Sequence, residues 1–352
     1  MSYSFSFLII EWYSVHKRDL PWRNTRNPYK IWISEIILQQ TRVAQGMGYY
    51  HRFIAAFPTI QALATASLDE VLKLWQGLGY YSRARNLHET AKHIVTQLDG
   101  KFPESYKELI KLKGIGDYTA SAIVSFAFKV PVAAVDGNVY RVLSRYYGIF
   151  TPIDSTKGKK ELNTLAQAMV DKLQPDTFNQ AMMDFGALMC TPQKPVCNEC
   201  PLHESCYAFR YDCISQLPVK SKKTAQSTRY FSYILIKQGK YTYIHKRQAK
   251  DIWHSLYEFP LIETMEEVKP EDLPQTKQWQ ELFGNEKITI THISPLNKHV
   301  LSHQLIMNRF YVVELDNKQY KPQVDFIKIK MADFNKYSTP KMIENFITDN
   351  QA

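Results

Sequence analysis

The sequence predicts a multidomain chain, with an all-α domain to about Cys206 and a smaller α+β domain after it. Three observations carry this. Apolar residues before Cys206 recur at helical spacing, those beyond Tyr230 fall into short aromatic and β-branched runs, and a basic, poorly patterned stretch separates the two. At 352 residues there is material for about two domains, each with its own core.

In chain order, the apolar run from Phe5 to Ile10 is short, lacks a basic leader and passes directly into Glu11, so it reads as helix and not as a targeting or spanning segment. Ile33, Ile36, Ile37, Gln40, Val43 and Ala44 keep the i, i+3, i+4 rhythm of one helical face, and Val139, Val142, Leu143 and Tyr146 repeat it further on. Gly or Pro marks turns at Phe57-Pro58, Gly77, Gly100 to Pro103, and Gly148. Leu217 to Lys223 reads as linker. Tyr230 to Ile236 and Tyr241 to Ile244 flank Gln238-Gly239 as strand–turn–strand, and Phe310 to Leu315 supplies a further strand. The expected boundaries are 1–213 for the helical domain, 214–228 for the linker and 229–348 for the second domain, with no internal repeat or low-complexity tract.

Hydrophobic content of 45% argues against both a disordered chain and a membrane protein. A formal charge of +10 favours polyanionic partners, nucleic acid first. Reduced cysteines without a secretory signal place the chain in the cytoplasm, or a nucleus where one exists.

Four of the five cysteines, Cys190, Cys197, Cys200 and Cys206, form a C-x6-C-x2-C-x5-C run among prolines that let the backbone wrap a metal centre. Zinc ribbons use two short knuckles set well apart, whereas one knuckle with longer arms suits a [4Fe–4S] cubane; structural zinc is the alternative, and a disulfide framework ranks third. Cys213 stands outside the run, its default reading a spare thiol.

Leu112 to Ala120 joins two helical patterns through Gly114-Ile115-Gly116. Glycines permit a tight hairpin, and their amides with the next helix N-terminus can grip a phosphate; an ordinary packing turn is the plainer reading. Asp136, in Val135-Asp136-Gly137-Asn138, precedes a helical pattern, where its plain role is an N-cap. A carboxylate at that helix mouth is also placed to stabilise a developing cation. Glu35 shares a side with Ile31, Trp32 and Leu38, unusual company for a solvated acid. If that side lines a dry cleft, desolvation raises its pKa above about 4.3 and makes it a proton donor.

Together, the Gly114-Ile115-Gly116 hairpin, Asp136-Gly137-Asn138 and the cysteine run resemble the helix-hairpin-helix base-excision DNA glycosylases. Trp32-Ile33-Ser34-Glu35-Ile36-Ile37-Leu38-Gln39-Gln40-Thr41 narrows the resemblance to MutY-type adenine DNA glycosylases. Arg18 to Arg23, Gly77 to Arg85 and Phe178 to Asp184 support it. The resemblance implies a helix-hairpin-helix domain with a [4Fe–4S] loop and a Nudix-like C-terminal domain. The expected substrate is double-stranded DNA with adenine opposite 8-oxoguanine or guanine, bound by a monomer with no membrane partner.

In lyase relatives a lysine stands two residues after G-x-G; Tyr118 stands there in this chain, and a phenol forms no Schiff base. The expectation is therefore a monofunctional enzyme that leaves an abasic site. The resemblance implies that Glu35 protonates the flipped adenine, Asp136 stabilises the oxocarbenium ion, and Tyr118 and Asn138 support them. It further implies that Gln40, Leu78 and Tyr80 wedge into the base stack, Thr41 helps read the opposite base, and Trp22 and Arg23 border the adenine pocket. Gly114 and Gly116 would hold the backbone, aided by Lys111, Lys113 and, on the cysteine loop, Lys194.

Asp251 to Pro260 resembles the W-x3-(W/Y)-E-F-P element of the Nudix-like domain, and the carboxylate array for pyrophosphate hydrolysis is lacking. His299-Val300-Leu301-Ser302-His303 corresponds to the family's H-x-F-S-H loop, with Leu301 replacing Phe; Ser302 is the expected contact to 8-oxoguanine. Two other readings compete: a bifunctional endonuclease III-like pyrimidine-damage glycosylase/lyase, and a noncatalytic iron–sulfur DNA-binding protein.

Overall fold

The computed structural model describes residues 4–221, 226–322 and 325–349; part of the expected linker, residues 222–225, lies outside them. The chain gathers into two compact units, Met1–Thr65 with Asn86–Lys222, and Ala66–Arg85 with Lys223–Ala352. Residues 66–85 thus group with the C-terminal unit.

Up to the cysteine loop the helices are α1 (Phe5–His16), α2 (Pro28–Leu38), α3 (Val43–Ala56), α4 (Ile60–Thr65), α5 (Leu68–Trp75), α6 (Ser82–Gln97), α7 (Tyr106–Leu109), α8 (Asp117–Phe128), α9 (Gly137–Tyr147), α10 (Thr156–Met169), α11 (Pro175–Asp184) and α12 (Tyr207–Arg210). Of these, α5 belongs to the second unit and α6 begins in it. Ile9 and Trp12 of α1, Val142 and Leu143 of α9, and Phe178 and Met182 of α11 share one core. That packing draws α9 and α11, which flank the candidate site, against one another. Among the described residues no helix is long and apolar enough to cross a membrane.

The helical rhythm from Ile33 to Ala44 does not mark one helix. Helix α2 stops at Leu38, Gln40 takes a left-handed φ of 57°, and α3 starts at Val43. Thr41 N–H bonds back to the Leu38 carbonyl at 3.2 Å, closing a turn that keeps the apolar residues on one side. Periodicity registers that side and is blind to the break. The break leaves Gln40 exposed on a turn.

In the second unit β1 (Ser227–Lys237) is followed by β2 (Tyr241–Lys246), β3 (Tyr257–Glu258), β4 (Leu261–Thr264), helix α13 (Lys277–Phe283), β5 (Ile288–Ile293), β6 (Asn297–Val300), β7 (Gln304–Leu315), β8 (Ile327–Lys330) and helix α14 (Lys341–Asp349). The larger sheet runs β4-β1-β7-β5 with β6 also on β7, and the smaller runs β3-β2-β8. The expected strand–turn–strand forms around Gly239, but its two strands enter different sheets: β1 lies parallel to β7, with Tyr233 opposite Phe310, and β2 lies antiparallel to β8. Ile234 and Ile236 of β1, Tyr311 and Val313 of β7, and Trp279 and Phe283 of α13 make the core. Paired on both flanks, β1 is buried almost continuously in its second half.

Candidate active site

Helix α2 is capped by Asn27, whose side chain accepts from the Tyr29 and Lys30 amides, and Pro28 occupies its first position. Every residue from Tyr29 to Ile37 except Lys30 is buried, so the helix is enclosed on nearly all sides, and Glu35 is only 7% exposed. Helix α8 brings the Tyr118 hydroxyl to donate to Glu35 Oε2 at 2.6 Å. Asp136 caps α9, its Oδ1 accepting from the Asn138 and Val139 amides at 2.9 Å each and its Oδ2 from Asn138 Nδ2 at 2.7 Å. The N-cap role read from the sequence is thus filled, and the same carboxylate lines the cavities of the candidate site.

These three groups stand where two cavities meet. One, of about 430 Å³, is also lined by Trp22, Arg23, Leu38, Thr41, Asn138, Gln180 and Met183. The other is a groove of about 1240 Å³ that runs past Gln40, Gly116, Asp117 and Tyr140 to Lys159. A pocket that opens at two carboxyl groups into a long groove is an arrangement for acting on one unit of an extended molecule.

Burial pushes the Glu35 carboxyl up to about 7; the Tyr118 hydrogen bond opposes this, the Asp136 charge adds to it, and Arg23 opposes it weakly. Burial also raises Asp136, countered by bonds from the Val139 amide, the Asn138 side chain and the Asn138 amide, and by the Arg141 charge. Burial, then the charges of Glu35 and Asp136, hold the Tyr118 phenol well above its ordinary value, so it stays a donor. One carboxyl that keeps its proton in about half the molecules at pH 7, beside another held by several hydrogen bonds, can give a proton while its neighbour faces a cation.

Residues without an assigned sequence role line the pocket, as Arg18, Gln180 and Arg141 do, or brace it from behind, as Asp184 does. Asp184, at the end of α11 and fully buried, accepts from Arg18 and Arg23, with Arg23 Nη1 at 2.6 Å from Oδ2 and Nη2 at 2.7 Å from Oδ1. Gln180 accepts from the Tyr13 hydroxyl at 2.9 Å. Arg141 spans from Asn138 Oδ1 at 2.8 Å to the carbonyls of Gly186 at 2.7 Å and Cys190 at 2.8 Å. Their signal in the sequence is weak, since each partner lies on a distant element.

In the hairpin between α7 and α8, Gly114 has φ +77°, and a Cβ there would stand 2.7 Å from Asn86 Cβ; only glycine fits. A Cβ on Gly116 would meet nothing within 4 Å, so its bareness serves no internal packing and leaves the α8 N-terminus open to an approaching backbone. Lys111 and Lys113 are exposed beside it, the latter paired with Glu89 at 2.5 Å. Trp22 is buried and packs edge-on to Tyr50 with 5.1 Å between centroids.

Of the remaining predicted contacts, Leu78, Tyr80 and Ser302 all lie in the second unit. Leu78 is buried, Tyr80 is 44% exposed, and the Tyr80 hydroxyl hydrogen-bonds Ser302 Oγ. Ser302 sits in the loop between β6 and β7, which the Leu301 N–H to Gln304 carbonyl bond of 2.8 Å closes. Glu258, of the motif around Trp253, is buried and bound by Arg247 Nη1 at 3.0 Å and the Tyr233 hydroxyl at 3.1 Å, a structural employment.

Cys190, Cys197, Cys200 and Cys206 line one small cavity with Val142, Phe185, Met189 and Leu202. Burial, opposed by the Leu202 amide and aided by the charges of Cys190, Cys206 and Cys197, raises the thiol of Cys200 to about 12. Four sulfurs inside an apolar shell, with the Cys197, Cys200 and Cys206 thiolates disfavoured there, fit a cationic iron–sulfur core, which offsets that cost. As placed, no three donors among the described residues close into a metal-holding group. The loop is anchored on α9 by Arg145, which donates to the carbonyls of Thr191 at 2.7 Å, Pro192 at 3.1 Å and Leu217 at 3.0 Å. Lys194 is exposed on it.

Residues 33–171 match the family model described as HhH-GPD superfamily base excision DNA repair protein, and residues 232–349 match that of the NUDIX domain. Adenine DNA glycosylase of Buchnera aphidicola subsp. Schizaphis graminum is 41% identical over 263 residues, 74% of this chain and 76% of that protein. The adenine DNA glycosylase of Buchnera aphidicola subsp. Baizongia pistaciae is 39% identical over 309 residues, covering 87% and 85%. Among solved structures, a thermostable thymine-DNA glycosylase aligns with TM-score 0.55 and 31% identity over 59% of this chain and 95% of that one. A non-covalent endonuclease III–DNA complex aligns with TM-score 0.51 and 26% identity over 58% and 95%.

Proposed function

The chain belongs to the adenine DNA glycosylase family, and on that premise we propose that it excises adenine mispaired with 8-oxoguanine or guanine, leaving an abasic site in an intact strand. It is a hydrolase of the N-glycosidic bond of adenine in base-excision repair, built from a helical HhH-GPD region and a mixed-sheet Nudix-like region. The observation that carries the mechanism is a buried Glu35, bonded by Tyr118 and raised to about 7, beside Asp136 at the meeting of pocket and groove.

Flipping the adenine costs a few kcal/mol, offset by contacts in the pocket lined by Trp22, Arg23 and Gln180. Neutral Glu35 gives its proton to a ring nitrogen, which turns adenine into a leaving group. As the glycosidic bond stretches, positive charge grows on the sugar, and Asp136, held in place by α9 amides and Asn138, stabilises it. Glu35, now a carboxylate, takes a proton from the attacking water. Tyr118 fixes Glu35 by its hydrogen bond and supplies no amine for a Schiff base.

The groove beyond Gly116, with Gln40 and Thr41 at the α2–α3 break, is suited to the duplex, while Ser302, bonded to the Tyr80 hydroxyl, is the group offered to 8-oxoguanine and Tyr80 the one offered to the base stack. Cys190, Cys197, Cys200 and Cys206 would hold a [4Fe–4S] cluster, which would tie the loop bearing Lys194 in place and, with four protein ligands, would serve structure and not the chemistry of base release. We assign the active form as a cytoplasmic monomer.

The test is a duplex with adenine opposite 8-oxoguanine. Breaks that appear only after alkali support the assignment. Breaks without alkali mean a lyase, and intact strands mean a binding protein.

A further inference from the structure

We propose that Asp184 is a positioning residue that holds the Arg23 guanidinium away from Glu35 and so keeps that carboxyl able to donate its proton. The proposal rests on the reading of Glu35 as the acid. Asp184 is fully buried, and both of its oxygens are taken by arginine donors. Its Oδ1 accepts from Arg18 Nε at 2.9 Å, Arg18 Nη2 at 2.5 Å and Arg23 Nη2 at 2.7 Å; its Oδ2 accepts from the Arg18 amide at 3.1 Å and Arg23 Nη1 at 2.6 Å.

Arg18, Arg23 and Glu35 all line the cavity assigned to the base. The groups that face Glu35 are Tyr118 from α8, Asp136 from the cap of α9, and Arg23 from the turn Pro21–Arg23. Arg23 is the single cation of that set. Fully engaged by Asp184, it influences Glu35 less than burial, Tyr118 or Asp136 does. Without Asp184, the carboxylate whose charge Arg23 already feels is Glu35. An ion pair with Glu35 favours the ionised form, and an ionised acid has no proton to give.

A clamp that merely fastened the 17–23 turn to α11 would change rate or stability without moving a pH profile. The experiment therefore measures single-turnover adenine release against pH. It compares the wild type, Asp184→Asn, and two charge-balanced pairs, Arg18→Gln with Asp184→Asn, and Arg23→Gln with Asp184→Asn. Each pair removes one cation together with the anion, so the pocket keeps the wild-type net charge, which favours folding where the single variant fails.

The expected result is an alkaline limb shifted down by about one pH unit in Asp184→Asn and in the pair that retains Arg23. In the pair that lacks Arg23 the limb stays at the wild-type position or above it. Two pairs with the same limb overturn the proposal, as does a uniform loss of rate with no movement of the limb. If instead the wild type has no alkaline limb, or Glu35→Gln still releases adenine, the assignment of the acid fails first and the proposal with it.

Discussion

Glu35→Gln separates a catalytic loss from a stability gain, and both follow from one number. A carboxyl whose ordinary value is 4.5 and which the fold raises to about 7 is costly to ionise inside the protein. That difference corresponds to about 3 kcal/mol at alkaline pH. The sign follows from the raised folded value: below about 4.5 the group is neutral in both states and there is no penalty. As pH rises to about 7 the unfolded chain ionises and the folded one does not, so stability falls, and above it the penalty is complete. Gln keeps an oxygen for the Tyr118 hydroxyl and never ionises. The variant should therefore match the wild type near pH 4.5 and exceed it by about 3 kcal/mol near pH 9, less some tenths for the weaker bond to a neutral acceptor. For a unit of this size that is a rise of roughly 6 to 12 °C in melting temperature. Melting both proteins at matched scan rates across this range, alongside single-turnover adenine release, tests it. A stability difference that does not vary with pH refutes the raised carboxyl, and residual adenine release refutes its role as acid.

Other substitutions address the remaining parts. Asp136→Asn should abolish base release yet keep the α9 cap, leaving stability within about 1 kcal/mol, whereas Asp136→Ala should lose about 1 kcal/mol as well, read from denaturant unfolding. Tyr118→Phe removes the bond that lowers the Glu35 carboxyl, so the alkaline limb of adenine release should move to higher pH; a limb that falls contradicts the assigned sign. Gly114→Ala meets both a φ of +77° and Asn86, so it should destabilise the fold by more than 1 kcal/mol. Gly116→Ala meets no atom of the protein and should melt like the wild type while binding DNA more weakly; unchanged affinity removes Gly116 from the interface. Cys200→Ser should lower iron and acid-labile sulfide together, from about four of each per chain.

Much of the site was legible because it is written locally. The four cysteines lie within one loop, Asp136 stands one residue before its helix, and Glu35 is surrounded by apolar neighbours that predict its burial. What the chain builds across distance was not. Asp184 ends α11, and only folding brings Arg18 and Arg23, from a segment far away in the chain, to it. The α2–α3 break is invisible to periodicity because the turn preserves the apolar side. The strands flanking Gly239 read as a pair, yet the parallel partner of β1 lies some distance downstream on β7, and no short-range signal announces it. Residues 66–85 group with the C-terminal unit through contacts such as Lys246 to Asp69 at 2.5 Å and Tyr257 to Asp69 at 2.9 Å, made between segments far apart in the chain.

The central claim is that Glu35 carries a proton near neutral pH. Carbon-13 labelling of the glutamate carboxyls, with spectra of the wild type and Glu35→Gln taken across pH, observes that proton directly. One resonance should titrate near 7 and be missing from the variant. A folded wild type in which every glutamate carboxyl has ionised by about pH 5.5, within the ordinary range for the residue, contradicts this.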